Sequence, residues 1–152
     1  MECTVRWAGA SGMTFLAETG SGHILAMDGA VEGGGRNLAP RPMEVVLAGT
    51  GGCTAYDVVL ILRKSRQDVR GCDVKLTSER ANQEPKVFTK IHFHFTVRGR
   101  DLKPNLVERA IKLSHDKYCS ASIMLEKTAT ITHSFEIVDD LAAAEPTIET
   151  RL

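Results

Sequence analysis

Residues Pro42–Ser65 read PMEVVLAGTGGCTAYDVVLILRKS, the most hydrophobic stretch of a 152-residue chain. Proline opens it where a missing N–H costs nothing. Arg63, Lys64 and Arg66 lie at its far end, where cations complement helix carbonyls. Apolar residues recur on nearly every face: Val45, Val46, Leu47, Ala48, then Val58 to Leu62. The pattern predicts one long helix, from Pro42 to about Arg66, buried on all sides. Such a helix needs more cover than one small domain supplies, which points to a partner subunit. Gly49, Gly51 and Gly52 each cost about 1 kcal/mol against alanine in a helix. They fit a place where another backbone or a substrate approaches, just before Cys53.

Three short strands are expected upstream, over 2–8, 12–17 and 22–27, from their alternation and from turns at Gly9, Gly12 and Gly20–Gly22. A long loop, Asp28–Arg41, then leads into the helix, and loops of that length are often functional. Downstream, 70–82 and 86–98 alternate as a hairpin around Asn82–Pro85. Pro104 starts a helix to about Lys117, Cys119 follows, and Ala121–Glu126 forms a short helical piece. Ala129–Val138 is a last strand. The order βββ-α-ββ-α-α-β indicates an α+β fold with helices segregated against antiparallel sheets. Residues 1–138 read as one domain, and 139–152 as a loosely ordered tail.

Composition narrows the function. Lys+Arg and Asp+Glu both number 19, so no strong field favours nucleic acid or an anionic membrane. Five Phe, two Tyr and one Trp give a base-stacking platform little to build on. Thr50, Asp57 and the glycines make the apolar stretch read as too polar for a membrane span. Met1 is followed by the acidic, polar ECTVRW rather than a basic segment and an apolar run, so the expected location is cytoplasmic. The four cysteines, Cys3, Cys53, Cys72 and Cys119, form no C-x-x-C pair and show no zinc spacing. No metal and no bound cofactor are expected. His92 and His94 share one strand face, read as polar sheet surface rather than a metal site.

Cys53 has two readings. It packs as a small hydrophobe, or it reacts, which requires a nearby cation to offset apolar burial. Arg36 and Arg41, in the loop segment EGGGRNLAPR (32–41), are the candidate cations, with Arg36 preferred. Glu44 either holds such an arginine or is an ordinary first-turn acid favoured by the helix dipole. Cys119 is a second thiol or a packing residue. Cys3 and Cys72 read as structural.

PMEVVLAGTGGC (42–53) and SHDKYC (114–119) together resemble the OsmC/Ohr family, the osmotically inducible protein C and organic hydroperoxide resistance proteins. The order of elements over 1–138 is similar as well. Met43 stands where the family's activating glutamate follows the proline, and Ser120 where proline is common, which marks a divergent branch. The resemblance implies an intertwined homodimer with sheets wrapped around long central helices. It implies a thiol-dependent peroxidase acting on organic hydroperoxides in oxidative-stress defence. Cys53 would then be the peroxidatic thiol and Cys119 the resolving one, with Arg36 and Glu44 as the activating pair. An external dithiol would be the reductant. The alternative is a non-enzymatic relative that binds a small apolar or acyl ligand at the dimer interface.

Overall fold

A computed structural model describes residues 1–9 and 11–140. The fold is α+β, and contacts divide the chain into two compact units with the boundary at Gly49. The first unit is a three-stranded antiparallel sheet in the order β1-β2-β3: Cys3–Trp7, Phe15–Thr19 and Ile24–Met27. β2 starts later than the alternation suggests because residues before it are used in a turn. There the Trp7 Nε1–H donates to the Gly12 carbonyl at 2.8 Å, and the Ala8 N–H to the Thr14 carbonyl at 2.9 Å.

The loop after β3 is wound around one carboxylate. Asp28 is fully buried. It accepts the N–H groups of Gly29 at 2.8 Å and of Arg36 and Leu38 at 3.0 Å, and more weakly the Thr14 hydroxyl at 3.4 Å. These bonds, led by that from Leu38, hold its pKa below the ordinary value although burial opposes them. The long segment is therefore an ordered loop, and its length is explained by the route it takes around Asp28.

The helix α1 runs Pro42–Lys64. Glu44 accepts the Arg41 N–H at 2.8 Å, one half of a capping box. Thr50, Gly51, Thr54, Val58 and Leu62 are its buried residues, a single stripe at helical spacing. A Cβ on Gly51 would lie 2.6 Å from Leu76 Cδ1 of the neighbouring strand, so a larger residue there would have to displace the end of the Leu76 side chain. The other apolar faces stay open within one chain: Tyr56 is 70% exposed, and Val46 and Leu60 are exposed too. By length and a mean hydropathy of 1.7, α1 reaches what a membrane span needs, against the sequence reading that it is too polar. Its packed stripe is nonetheless that of a helix built into a folded unit.

The second unit, from Thr50 onward, holds the rest of α1 and a three-stranded sheet in the order β4-β5-β6. β4 (Asp68–Arg80) and β5 (Phe88–Arg100) form the expected antiparallel hairpin. β6 (Thr130–Asp139) pairs parallel to β5, so the sheet is mixed, which corrects the expectation of antiparallel sheets throughout. The intervening α2 (Pro104–Leu113) and α3 (Ser120–Leu125) supply the crossover that a parallel pair needs. Along β5, Phe88, Ile91, Phe93, Phe95 and Val97 face the core with Val107, Ala110 and Ile111 of α2. His92 and His94 take the other face and hydrogen bond to Thr132 and Ser134 of β6 at 2.8–2.9 Å, the polar ladder expected. Asp139 pairs with Gly99, and the Asp140 N–H donates to the Gly99 carbonyl at 2.9 Å. The first two residues of the expected tail are therefore tied to the sheet, and 141–152 lie outside the described residues.

The second long helix ends as an α-helix at Leu113, earlier than expected. Ser114–Tyr118 widen into a π turn. Ser114 is fully buried and its hydroxyl donates to Asp57 of α1 at 3.0 Å. Widened turns of this kind are frequent at functional sites, and this one delivers Cys119.

Candidate functional site: a thiol pair with a carboxylate

Cys119 caps α3, and its sulfur sits where the free N–H groups of that helix point. It accepts hydrogen bonds from the Ser122 hydroxyl at 3.2 Å, the Thr54 hydroxyl at 3.2 Å and the Ser122 N–H at 3.4 Å. Cys119 has no exposed surface. Cys53 and Asp57, one helical turn apart on α1, share a face, and both are half-buried. The Cys53 sulfur, the Cys119 sulfur and an Asp57 oxygen all lie within 4.8 Å of one another. Residues far apart in sequence thus converge inside the second unit, two from one helix and one from the cap of another.

Electrostatics separates the two thiols. Burial, first of all, pushes the Cys53 thiol up, with the Cys119 thiol and the Asp57 charge adding to it; the Ala121 N–H opposes them. For Cys119 burial is again the largest influence and acts upward. The bonds from Ser122, Thr54 and Cys53 together outweigh it and bring that thiol below its ordinary value. In the reduced pair the Cys53 thiol donates to the Cys119 sulfur, and Cys119 is the thiol whose ionisation is the easier. Cys53 is the less buried of the two residues, and Cys119 is the one the protein ionises more readily.

Thr54 also donates to the Thr50 carbonyl at 3.0 Å and lies 3.3 Å from the Ser122 hydroxyl. One hydroxyl proton is therefore shared between a backbone acceptor and Cys119. Below this pair, a cavity of about 10 Å³ is bounded by Thr54, Ser122, His115, His133 and apolar side chains. Burial and the neighbouring His115 hold the His133 pKa below its ordinary value. A larger cleft of about 390 Å³ opens beside Asp57 against Leu60, Ile61, Leu113 and Tyr118.

Of the residues expected at the site, the structure brings Cys53 and Cys119 together. Arg36 and Glu44 belong to the first unit. The Arg36 guanidinium lies over Gly12, where an added Cβ would be 3.2 Å from Nε, and its backbone N–H is held by Asp28. Glu44 binds the Arg41 N–H, as first-turn acids do. Cys3 is exposed, and Cys72 is pushed up to about 11, mainly by burial. Thr54, Asp57, Ser114 and Ser122 escaped the sequence reading. Asp57 carried one signal, its i+4 spacing from Cys53. Ser122 carried another, its place three residues after a helix-capping cysteine.

The match to the family model for OsmC-like protein extends over residues 33–134 and includes both cysteines. Protein YhfA of Escherichia coli K12 is 54% identical over 138 residues, which are 91% of this chain and 98% of that protein. A solved hypothetical protein from Aquifex aeolicus VF5 superposes with a TM-score of 0.79 at 27% identity, over 91% of this chain and 96% of that one. An organic hydroperoxide resistance protein OsmC from Legionella pneumophila superposes with a TM-score of 0.64 at 17% identity, over 90% and 97%. On sequence and on fold, the chain belongs to the OsmC-like protein family.

Proposed function

We propose that this protein is a thiol-dependent peroxidase for organic hydroperoxides and serves in oxidative-stress defence. The observation that carries the reading is the convergence of Cys53 and Cys119, the first residue partly buried and the second fully buried with donors around its sulfur. Names of structural relatives support it: the Legionella protein is called an organic hydroperoxide resistance protein, and so is one from Elizabethkingia anophelis. In the proposed cycle the Cys53 thiolate attacks the distal peroxide oxygen. The O–O bond breaks, the alkoxide takes a proton and leaves as an alcohol, and Cys53 becomes a sulfenic acid. The Cys119 thiolate then attacks the Cys53 sulfur. The S–O bond breaks, the hydroxide leaves as water after protonation, and a Cys53–Cys119 disulfide remains. An external dithiol restores both thiols. The cleft beside Asp57 is lined by Leu60, Ile61 and Leu113 as well as by Lys64 and Ser65, and it has room for an alkyl group.

Ionising Cys53 against its burial calls for positive charge, and the reading gives that part to Arg36, oriented by Glu44, in a homodimer. The second reading is the ligand-binding relative without catalysis. Its support is the upward push on the Cys53 thiol, which makes an unassisted Cys53 a poor nucleophile. One experiment separates the two. The reduced protein is treated with one equivalent of cumene hydroperoxide and analysed by intact mass and peptide mapping. Peroxide turnover with a dithiol is then compared between wild type and Cys53→Ser. A Cys53–Cys119 disulfide and loss of turnover in the variant are expected. Equal turnover, or no disulfide, refutes the peroxidase.

A further inference from the structure

Asp57 has no part in the proposed cycle. A carboxylate beside two thiols opposes their ionisation, yet its place is well fixed. It stands one turn after Cys53 on α1, and the buried Ser114 hydroxyl donates to it at 3.0 Å from a widened turn of the next layer. We propose that the reduced Cys53–Asp57–Cys119 cluster is a binding site for a borderline-soft divalent cation of the zinc class.

Donor chemistry and spacing carry this. Two thiolates and one carboxylate are a ligand set that zinc accepts, with bonds of about 2.3 Å to sulfur and 2.0–2.2 Å to oxygen. Donors around one tetrahedral ion then stand about 3.5–4 Å apart by that geometry. The three donor atoms already lie within 4.8 Å of one another, so side-chain adjustment of about an ångström closes the set. Three protein ligands leave the fourth position to water. The outer shell is also in place: Ser114 on Asp57, and Thr54 and Ser122 on Cys119. Outer partners of this kind orient ligands and tune affinity. Binding displaces the thiol protons to solvent and ties the electron pairs of both sulfurs to the ion. Occupancy therefore blocks attack on a peroxide and shields the thiols from oxidation. The site is invisible to spacing rules because its ligands come from one face of α1 and from the cap of α3.

The test uses the full reduced chain with Co²⁺ as probe. One Co²⁺ per chain, with a thiolate-to-cobalt charge-transfer band and the visible bands of a tetrahedral ion, is expected, and Zn²⁺ should displace it. The band should survive in Cys3→Ser/Cys72→Ser and vanish in Cys53→Ser and in Cys119→Ser. Ser114→Ala should weaken binding by about 10–100-fold. In wild-type protein, where no variant can misfold, Zn²⁺ should protect Cys53 from alkylation by N-ethylmaleimide, and EDTA should reverse this. Absence of a charge-transfer band, its persistence without Cys53, its loss in Cys3→Ser/Cys72→Ser, or undiminished alkylation overturns the site. None of these readouts involves peroxide, so the metal site stands or falls separately from the peroxidase.

Discussion

Removing one hydroxyl should separate the two halves of the proposed cycle. Ser122 gives Cys119 both a hydroxyl and a backbone N–H. Ser122→Ala deletes the first and leaves the second. A hydrogen bond to a charged acceptor contributes about 1.5–3 kcal/mol, so the Cys119 thiolate becomes less populated at neutral pH by up to about 10–100-fold, at 1.36 kcal/mol per pKa unit. The less stabilised thiolate is also the better nucleophile, and a Brønsted coefficient of about 0.4–0.5 returns nearly half of that loss. The net slowing of disulfide closure is then up to roughly 3- to 15-fold. Formation of the Cys53 sulfenic acid should be much less affected, because Ser122 bonds to Cys119. Rapid mixing of reduced, EDTA-treated protein with cumene hydroperoxide, followed by dimedone trapping and mass analysis, reads the two steps separately. Sulfenic acid should accumulate in the variant at neutral pH. At alkaline pH both proteins are ionised, and the variant should close its disulfide at least as fast as wild type. If closure at neutral pH is unchanged in both Ser122→Ala and Thr54→Val/Ser122→Ala, the donor cradle does not act on the resolving step.

Two further outcomes concern folding and assembly. Asp28 has a folded-state pKa below its unfolded value, so its stabilisation is present above the unfolded pKa and is lost as pH falls through the folded one. Thermal unfolding from neutral to strongly acidic pH should show a flatter acid limb in Asp28→Asn, and an unchanged limb would remove Asp28 as the loop anchor. The open faces of α1, with Tyr56, Val46 and Leu60 exposed, are expected to be covered by a second copy of the chain. Light scattering should give the mass of two chains and the melting temperature should fall on dilution; a concentration-independent melt at the mass of one chain excludes this assembly.

The fold was legible where periodicity is strong. The apolar run of α1, the alternation of β5 and the stripe of α2 each announce their element, because burial on one face demands a fixed period. The parallel pairing of β6 was not legible. An alternating strand looks the same whichever way its neighbour runs, and direction is set by the crossover through α2 and α3. The early end of α2 was hidden for a related reason. Nothing local to Ser114–Tyr118 opposes a helix, and the widening accompanies a hydroxyl reaching a carboxylate on another element. The two site cysteines were visible as a pair through their motifs. Their environment was not, because Thr54, Asp57 and Ser122 become neighbours of the sulfurs only once α1 and α3 are packed.

The proposed cycle asks different things of the two thiols, and their surroundings differ in the same sense. A peroxidatic thiol must be reachable and ionised, and these demands conflict, since the enclosure that aims hydrogen-bond donors at a sulfur also removes it from solvent. Here most of the donors fall on Cys119, which is fully enclosed, while Cys53 is the less buried residue. An enclosed resolving thiolate is shielded from direct oxidation by bulky peroxides and is ready as soon as a sulfenic acid forms beside it. The cost falls on the first step, because burial, the bond to Cys119 and the charge of Asp57 all push the Cys53 thiol up. Added positive charge would relieve that, and the proposed cycle gives this part to Arg36, which makes Arg36 the most informative side chain to remove. Arg36→Lys should retain more of the first step than Arg36→Met, with closure of the disulfide unaffected in both. If Arg36→Met forms the Cys53 sulfenic acid at the wild-type rate, the positive charge comes from another group and the part given to Arg36 is wrong.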